Sequence, residues 1–192
     1  MSRDPSYITA LKQLSRQRGD IVDALTQLEY FQRSEDRPAA ILVSTHLEDS
    51  IQDLILTKMV PLNSTELGEM FSGDRLLGTF SAKIQIAYAL GLIGPKTRRD
   101  LDLIRLVRNA FAHSRKTIRF ATKEVADVCD QLTMLERFPD LSGFGGIVQP
   151  IDTPRRRFIA TVTLYQMGMF QAEKLFDDEA VIESLGPPIP LD

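Results

Sequence analysis

Cysteine is nearly missing from this chain: Cys129 stands alone, which excludes an internal disulfide. Without a secretory leader in the polar opening MSRDPSYITALKQLSRQRGD, one thiol suits a reducing cytoplasm. Histidine occurs twice, as His46 and His113, so one Cys and two His cannot fill a typical nitrogen and sulfur set for structural zinc, and no cofactor is expected. Tryptophan is absent, and no window of about 20 residues is free of charge, which excludes a transmembrane helix. No stretch alternates at period two, so no substantial sheet is expected. What remains is 192 residues, 43% hydrophobic, enough for one core with appendages.

The patterning is helical almost throughout. Residues 1–36 read as an N-terminal helical extension, with one helix over 6–33 or two broken near Gly19. Pro38 fits the first turn of a helix running to about Val60, where Pro61 ends it. Its apolar positions Ala40, Val43, Leu47, Ile51, Leu54 and Ile55 form one stripe. His46, Asp49, Ser50 and Asp53 lie opposite, as a solvated polar face rather than a metal site. Asn63 and Glu66 have capping-box spacing for a short helix ending near Phe71. Residues 76–92 predict a helix with Ile84, Ala87, Tyr88 and Leu92 inward, closed by Gly94. Pro95 opens the next, from Lys96 to about Ala112. There Leu103, Leu106 and Ala110 widen the apolar face, which predicts burial on two sides.

Thr122 is the expected N-cap of a helix over 123–138, with Cys129 packed in the core. Residues 139–153 are a Gly- and Pro-rich loop; its Ser142–Gly146 stretch lacks the ending of a phosphate loop. Thr153-Pro154 opens a long C-terminal helix over 154–178, followed by a Pro-rich tail, 179–192. The fold expected is all-α, an antiparallel helical bundle over 37–138 with a long C-terminal helix.

Net charge is −3, but residues 94–119 hold eight basic side chains against two acids, +6, leaving −9 elsewhere. That local excess can attract phosphate. Within it lies "RNAFAH", residues 108 to 113. At about 100° per residue, Asp102, Arg105, Asn109 and His113 share one side of a helix. Arg108 lies about 140° from His113 unless the helix frays first. A guanidinium, an amide and an imidazole suit metal-free RNA cleavage. His113 would transfer a proton, Arg108 would hold phosphate and Asn109 would orient. Arg105, Arg115 and Lys116 would guide the nucleic acid. One histidine per chain leaves acid and base roles to be shared, as a symmetric dimer allows. A structural account fits the same residues: His113 capping its helix, Asn109 bonding a neighbour, and Arg108 pairing with an acid such as Glu48 or Asp49.

Arg108-Asn109…His113 near a helix end resembles the signature of the HEPN superfamily, an Arg, often with a polar residue after it, and a His a few residues on. That resemblance implies helical bundles that dimerise. Many are metal-independent RNases of toxin–antitoxin, defence and stress systems, and others only bind. A longer stretch, roughly 37–135, is similar to the mannitol operon repressor (MltR) family. Its residues here are Leu77-Gly78, Lys83-Ile84, Tyr88, Leu90-Gly91 and Leu92-Ile93, between helices RPAAILVSTHLEDSIQDLI and DLDLIRLVRNAFAHS. This second resemblance implies a non-enzymatic transcriptional regulator acting through DNA or a protein partner, although no helix-turn-helix reader is visible. Two expectations follow. One is a HEPN-type endoribonuclease or RNA-binding relative, a homodimer with an antitoxin or regulatory partner. The alternative is an MltR-type regulator.

Overall fold

The computed structural model describes residues 30–138, 141, 150–174 and 191. Among the described residues, besides helical residues 30–33, there are six α-helices and one 3-10 helix and no strand: α1 (Asp36–Leu56), α2 (Ser64–Phe71), α3 (Phe80–Ala89), α4 (Pro95–His113), α5 (Lys123–Asp130), the 3-10 helix (Met134–Arg137) and α6 (Pro154–Lys174). Most of the expected helix over 6–33, the Gly-rich stretch 142–146, the last helix beyond 174 and the tail except Leu191 lie outside the described residues.

The order of packing follows the apolar stripes. α1 packs on α3, α4 and α6, and α6 also packs on α5 and the 3-10 helix. Leu47, Ile51, Leu54 and Ile55 of α1 meet Leu101, Ile104, Val107 and Phe111 of α4 in one core. Eight consecutive residues of α6, 158 to 165, are buried, so this stretch of the helix is covered on every side. Phe111, Phe120 and Phe158 stack in sequence, with centroids 4.9 and 5.3 Å apart, joining α4 to α6. Cys129 is buried there, and burial pushes its thiol up to about 12.

Several boundaries differ from expectation, each for a local reason. α1 stops at Leu56 rather than Val60. A helix through Val60 would drive the Pro61 ring into the carbonyl of Thr57, and Pro61 also disfavours helical geometry at residue 60. The chain instead tightens, Lys58 and Met59 donating to Ile55 and Leu56 three residues back. The Asn63–Glu66 capping box forms as the sequence predicts, each side chain bonding the other's backbone N–H. α3 spans Phe80–Ala89, not 76–92. Its start is Thr79, whose hydroxyl accepts from the Ala82 N–H. Before it, Gly78 lies so close to the preceding turn that a Cβ there would sit 2.2 Å from the Gly73 carbonyl oxygen. Its end is Gly91, at φ +69°. Leu92 N–H donates to Ala87 O and Gly91 N–H to Tyr88 O, the paired bonds of a left-handed glycine C-cap.

The helix expected over 123–138 breaks after Asp130. Thr122 does not cap it through its side chain, which accepts instead from the Arg119 N–H. The chain from Thr133 is claimed by Asp100 of α4, which is fully buried. Its Oδ2 accepts from Thr133 N–H (2.8 Å), Met134 N–H (3.1 Å), Thr133 Oγ1 (3.1 Å) and Tyr165 Oη of α6 (2.9 Å). Burial and the Asp100 charge raise the Tyr165 phenol above its ordinary value, so it stays a donor.

Three apolar positions turn outward. Tyr88 is exposed, with the Arg98 guanidinium 4.6 Å above its ring. Leu106 is 51% exposed and Ala110 is exposed too, so α4 is covered on one side rather than two.

His46 is half-buried beside Phe31, ring centroids 5.6 Å apart. Burial lowers its pKa from 6.5, and Asp49 pulls weakly the other way. The unfolded imidazole therefore gains its proton near pH 6.5 and the folded one only below that. The stability this group contributes is complete above 6.5 and is lost as pH falls toward the folded value. In urea titrations at stepped pH, His46→Gln is expected to flatten that decline; an unchanged slope would refute the assignment.

Candidate functional site

The "RNAFAH" segment is the last turn and a half of α4, and the helix stays regular through His113. No fraying swings the imidazole round, so Arg108 and His113 point about 140° apart. Arg108 faces α1, where its Nη2 donates to Glu48 Oε2 at 3.3 Å. Glu48 Oε1 accepts from Lys83 Nζ of α3 at 3.1 Å. One carboxylate thus joins three helices, with Lys83 and Glu48 nearly enclosed and Arg108 about 29% exposed at its side chain. Lys83 also attracts Asp49 on the next position of α1. Glu48 stands one helical turn after Ser44 on the buried stripe of α1, which puts its carboxyl under the α3–α4 seam.

Phe111 enters the core, while Asn109 and His113 lie on another side of α4. Asn109 is half-buried and His113 exposed, and neither side chain makes a hydrogen bond among the described residues. Arg105 pairs with Asp102 on its own helix, 3.3 Å away. Arg115 and Lys116 are exposed in the turn after α4. The structure therefore brings Asn109, His113, Arg115 and Lys116 to one end of α4 and turns Arg108 into the seam.

Sequence reasoning offered Glu48 as one partner of Arg108 but did not find Lys83 as the second cation. The signal was present, since Lys83 interrupts the apolar positions of α3 next to Ile84. It also missed Arg37 of α1, which reaches the same end of α4: its Nη2 donates to Ser114 O (2.9 Å) and Lys116 O (3.3 Å). No group of three or more His, Cys, Asp or Glu side chains among the described residues is placed to hold a metal. No described helix is long and apolar enough to cross a membrane.

The helix order of the described residues defines an all-helical domain, tied across three helices by the Glu48 ion cluster. No protein-family model matches the chain, and neither does any curated protein. Among solved structures it is similar to a chain of the X-ray structure of the MtlR–HPr complex from Escherichia coli. The TM-score is 0.57 with 18% identity, covering 74% of this chain and 94% of that one. At that identity the likeness is one of fold. Within this chain, the residues around α3 have physical roles of their own. Gly78 and Gly91 shape the ends of α3, Lys83 binds Glu48, Tyr88 carries Arg98, and Ile84 and Ile93 enter the core.

Proposed function

We propose that this chain is a non-enzymatic regulator of the mannitol operon repressor type that works by binding a protein partner. The observation that carries the reading is the fold likeness to a chain from a complex with HPr, spanning nearly all of that chain. The site supports it. A phosphate-binding guanidinium must be available to its anion, whereas Arg108 already has Glu48 and points away from His113. Calorimetric titration of the full chain with purified HPr is expected to show saturable binding; absence of heat at high concentrations of both proteins would overturn the reading.

A second reading, the metal-independent endoribonuclease, keeps one favourable observation: Asn109 and His113 lie on one accessible side of α4, next to Arg115 and Lys116. In it a homodimer would supply acid and base from two copies of His113. Incubation of a labelled RNA pool in EDTA separates the two. The regulator leaves the RNA intact. Cleavage to 2′,3′-cyclic phosphate ends that is lost in a folded His113→Ala variant would establish the nuclease.

A further inference from the structure

We infer that the turn following α4, together with the first turn of α1, is a docking surface for an acidic patch on a protein partner; the choice of a protein rests on the regulator reading above. Four cations meet there. Arg37 donates to the carbonyls of Ser114 and Lys116, so its guanidinium is pinned under the turn that carries Arg115 and Lys116. The Ser114 hydroxyl closes that turn, donating to Lys116 O and accepting from Lys116 N–H. The chain then returns to α1, since Phe120 N–H donates to Asp36 Oδ2, and this places Arg119 beside the same helix start.

Arg37, Arg115, Lys116 and Arg119 are all exposed, and none has a carboxylate partner among the described residues. That sets them apart from Arg105, Arg108, Arg155, Arg156, Arg157, Lys83 and Lys123, each of which faces one. The carboxylate best placed to neutralise the cluster, Asp36, is taken by Arg155 and by the Phe120 N–H. Besides Asp36, the cluster borders only Glu35 and Glu124 along the chain. Like charges gathered this way repel, and a counter-charge relieves them.

The surroundings favour a protein over a nucleic acid. The chain as a whole is acidic, at −3, so a long polyanion is repelled beyond the patch while a compact acidic surface is not. Beside the cations, the same side of α4 presents exposed Leu106 and Ala110, an apolar margin suited to a protein contact.

The test titrates the full chain into a fluorescein-labelled oligoglutamate peptide and follows anisotropy. Arg115→Glu/Lys116→Glu is compared with Arg75→Glu/Lys96→Glu, the same charge change elsewhere on the surface. Neither side chain of Arg115 or Lys116 makes a bond among the described residues, so the fold is expected to survive, as circular dichroism will report. The expected result is salt-sensitive binding by wild type and by the control, weakened about tenfold or more in the Arg115/Lys116 variant. Equal binding by both variants, or no binding by wild type, overturns the inference. So does tighter binding of a single-stranded RNA of equal charge, which would assign the surface to nucleic acid. The HPr titration judges the regulator reading separately: HPr binding that is indifferent to Arg115→Glu/Lys116→Glu would remove the surface and leave the regulator.

Discussion

Replacing Glu48 by Ala is expected to destabilise the protein by about 3–5 kcal/mol, the usual cost of breaking a buried ion pair by removing one partner. Two cations lose their only described carboxylate partner at hydrogen-bonding distance, and Lys83, nearly enclosed, has little access to water. The partial exposure of Arg108 lets its guanidinium rehydrate, which places the cost toward the lower end of that range. Arg108→Ala should cost much less, about 1 kcal/mol, because Lys83 still neutralises Glu48. Urea unfolding of Glu48→Ala, Arg108→Ala and the double variant measures the coupling directly. A loss below about 1 kcal/mol for Glu48→Ala would show that the cluster holds nothing together. The same series bears on function. If Glu48 only withholds Arg108 from RNA, a folded Glu48→Gln variant gains cleavage; in the regulator reading it stays inactive toward RNA.

The second large effect belongs to Asp100. Asp100→Ala is expected to cost about 3–5 kcal/mol, since it strands several buried donors at about 1–3 kcal/mol each. The donors come from three places: the Thr133 and Met134 amides, the Thr133 hydroxyl and the Tyr165 phenol. Damage should therefore be local first, releasing the 3-10 helix from α4 and α6. With no tryptophan in the chain, tyrosine fluorescence and near-ultraviolet circular dichroism report the four tyrosines, and comparison with Tyr165→Phe isolates the contribution of Tyr165 alongside the urea midpoint. Asp100→Asn keeps one acceptor oxygen and should lose less than Asp100→Ala. Equal losses would mean that the charge, not the accepting geometry, holds the segment.

The fate of particular residues shows how far one chain of letters reaches. The stripe from Ala40 to Ile55 specified α1 and its buried face, because a period of 3.6 residues leaves one solution. Asn63 with Glu66, and Pro95 after Gly94, marked two helix starts, because each device acts within four residues. The side of α4 that carries Asn109 and His113 was legible for the same reason. Gly91 was legible in principle as the end of α3, and Gly94 was a poorer choice because it instead begins α4.

What only the tertiary structure decided lies across long separations. Arg108 meets Glu48 from 60 residues away, Lys83 meets it from 35, and Asp100 captures Thr133 from 33. Those bonds broke the helix expected over 123–138 and chose which member of the motif would face solvent. Local propensity differs by less than about 1 kcal/mol per residue, whereas a buried carboxylate with several donors outweighs it. The sequence determined where helices run and which side of each is apolar. The packing of α1, α3 and α4 decided that the arginine of "RNAFAH" binds a glutamate and that its histidine stands at an open, basic end of the fold.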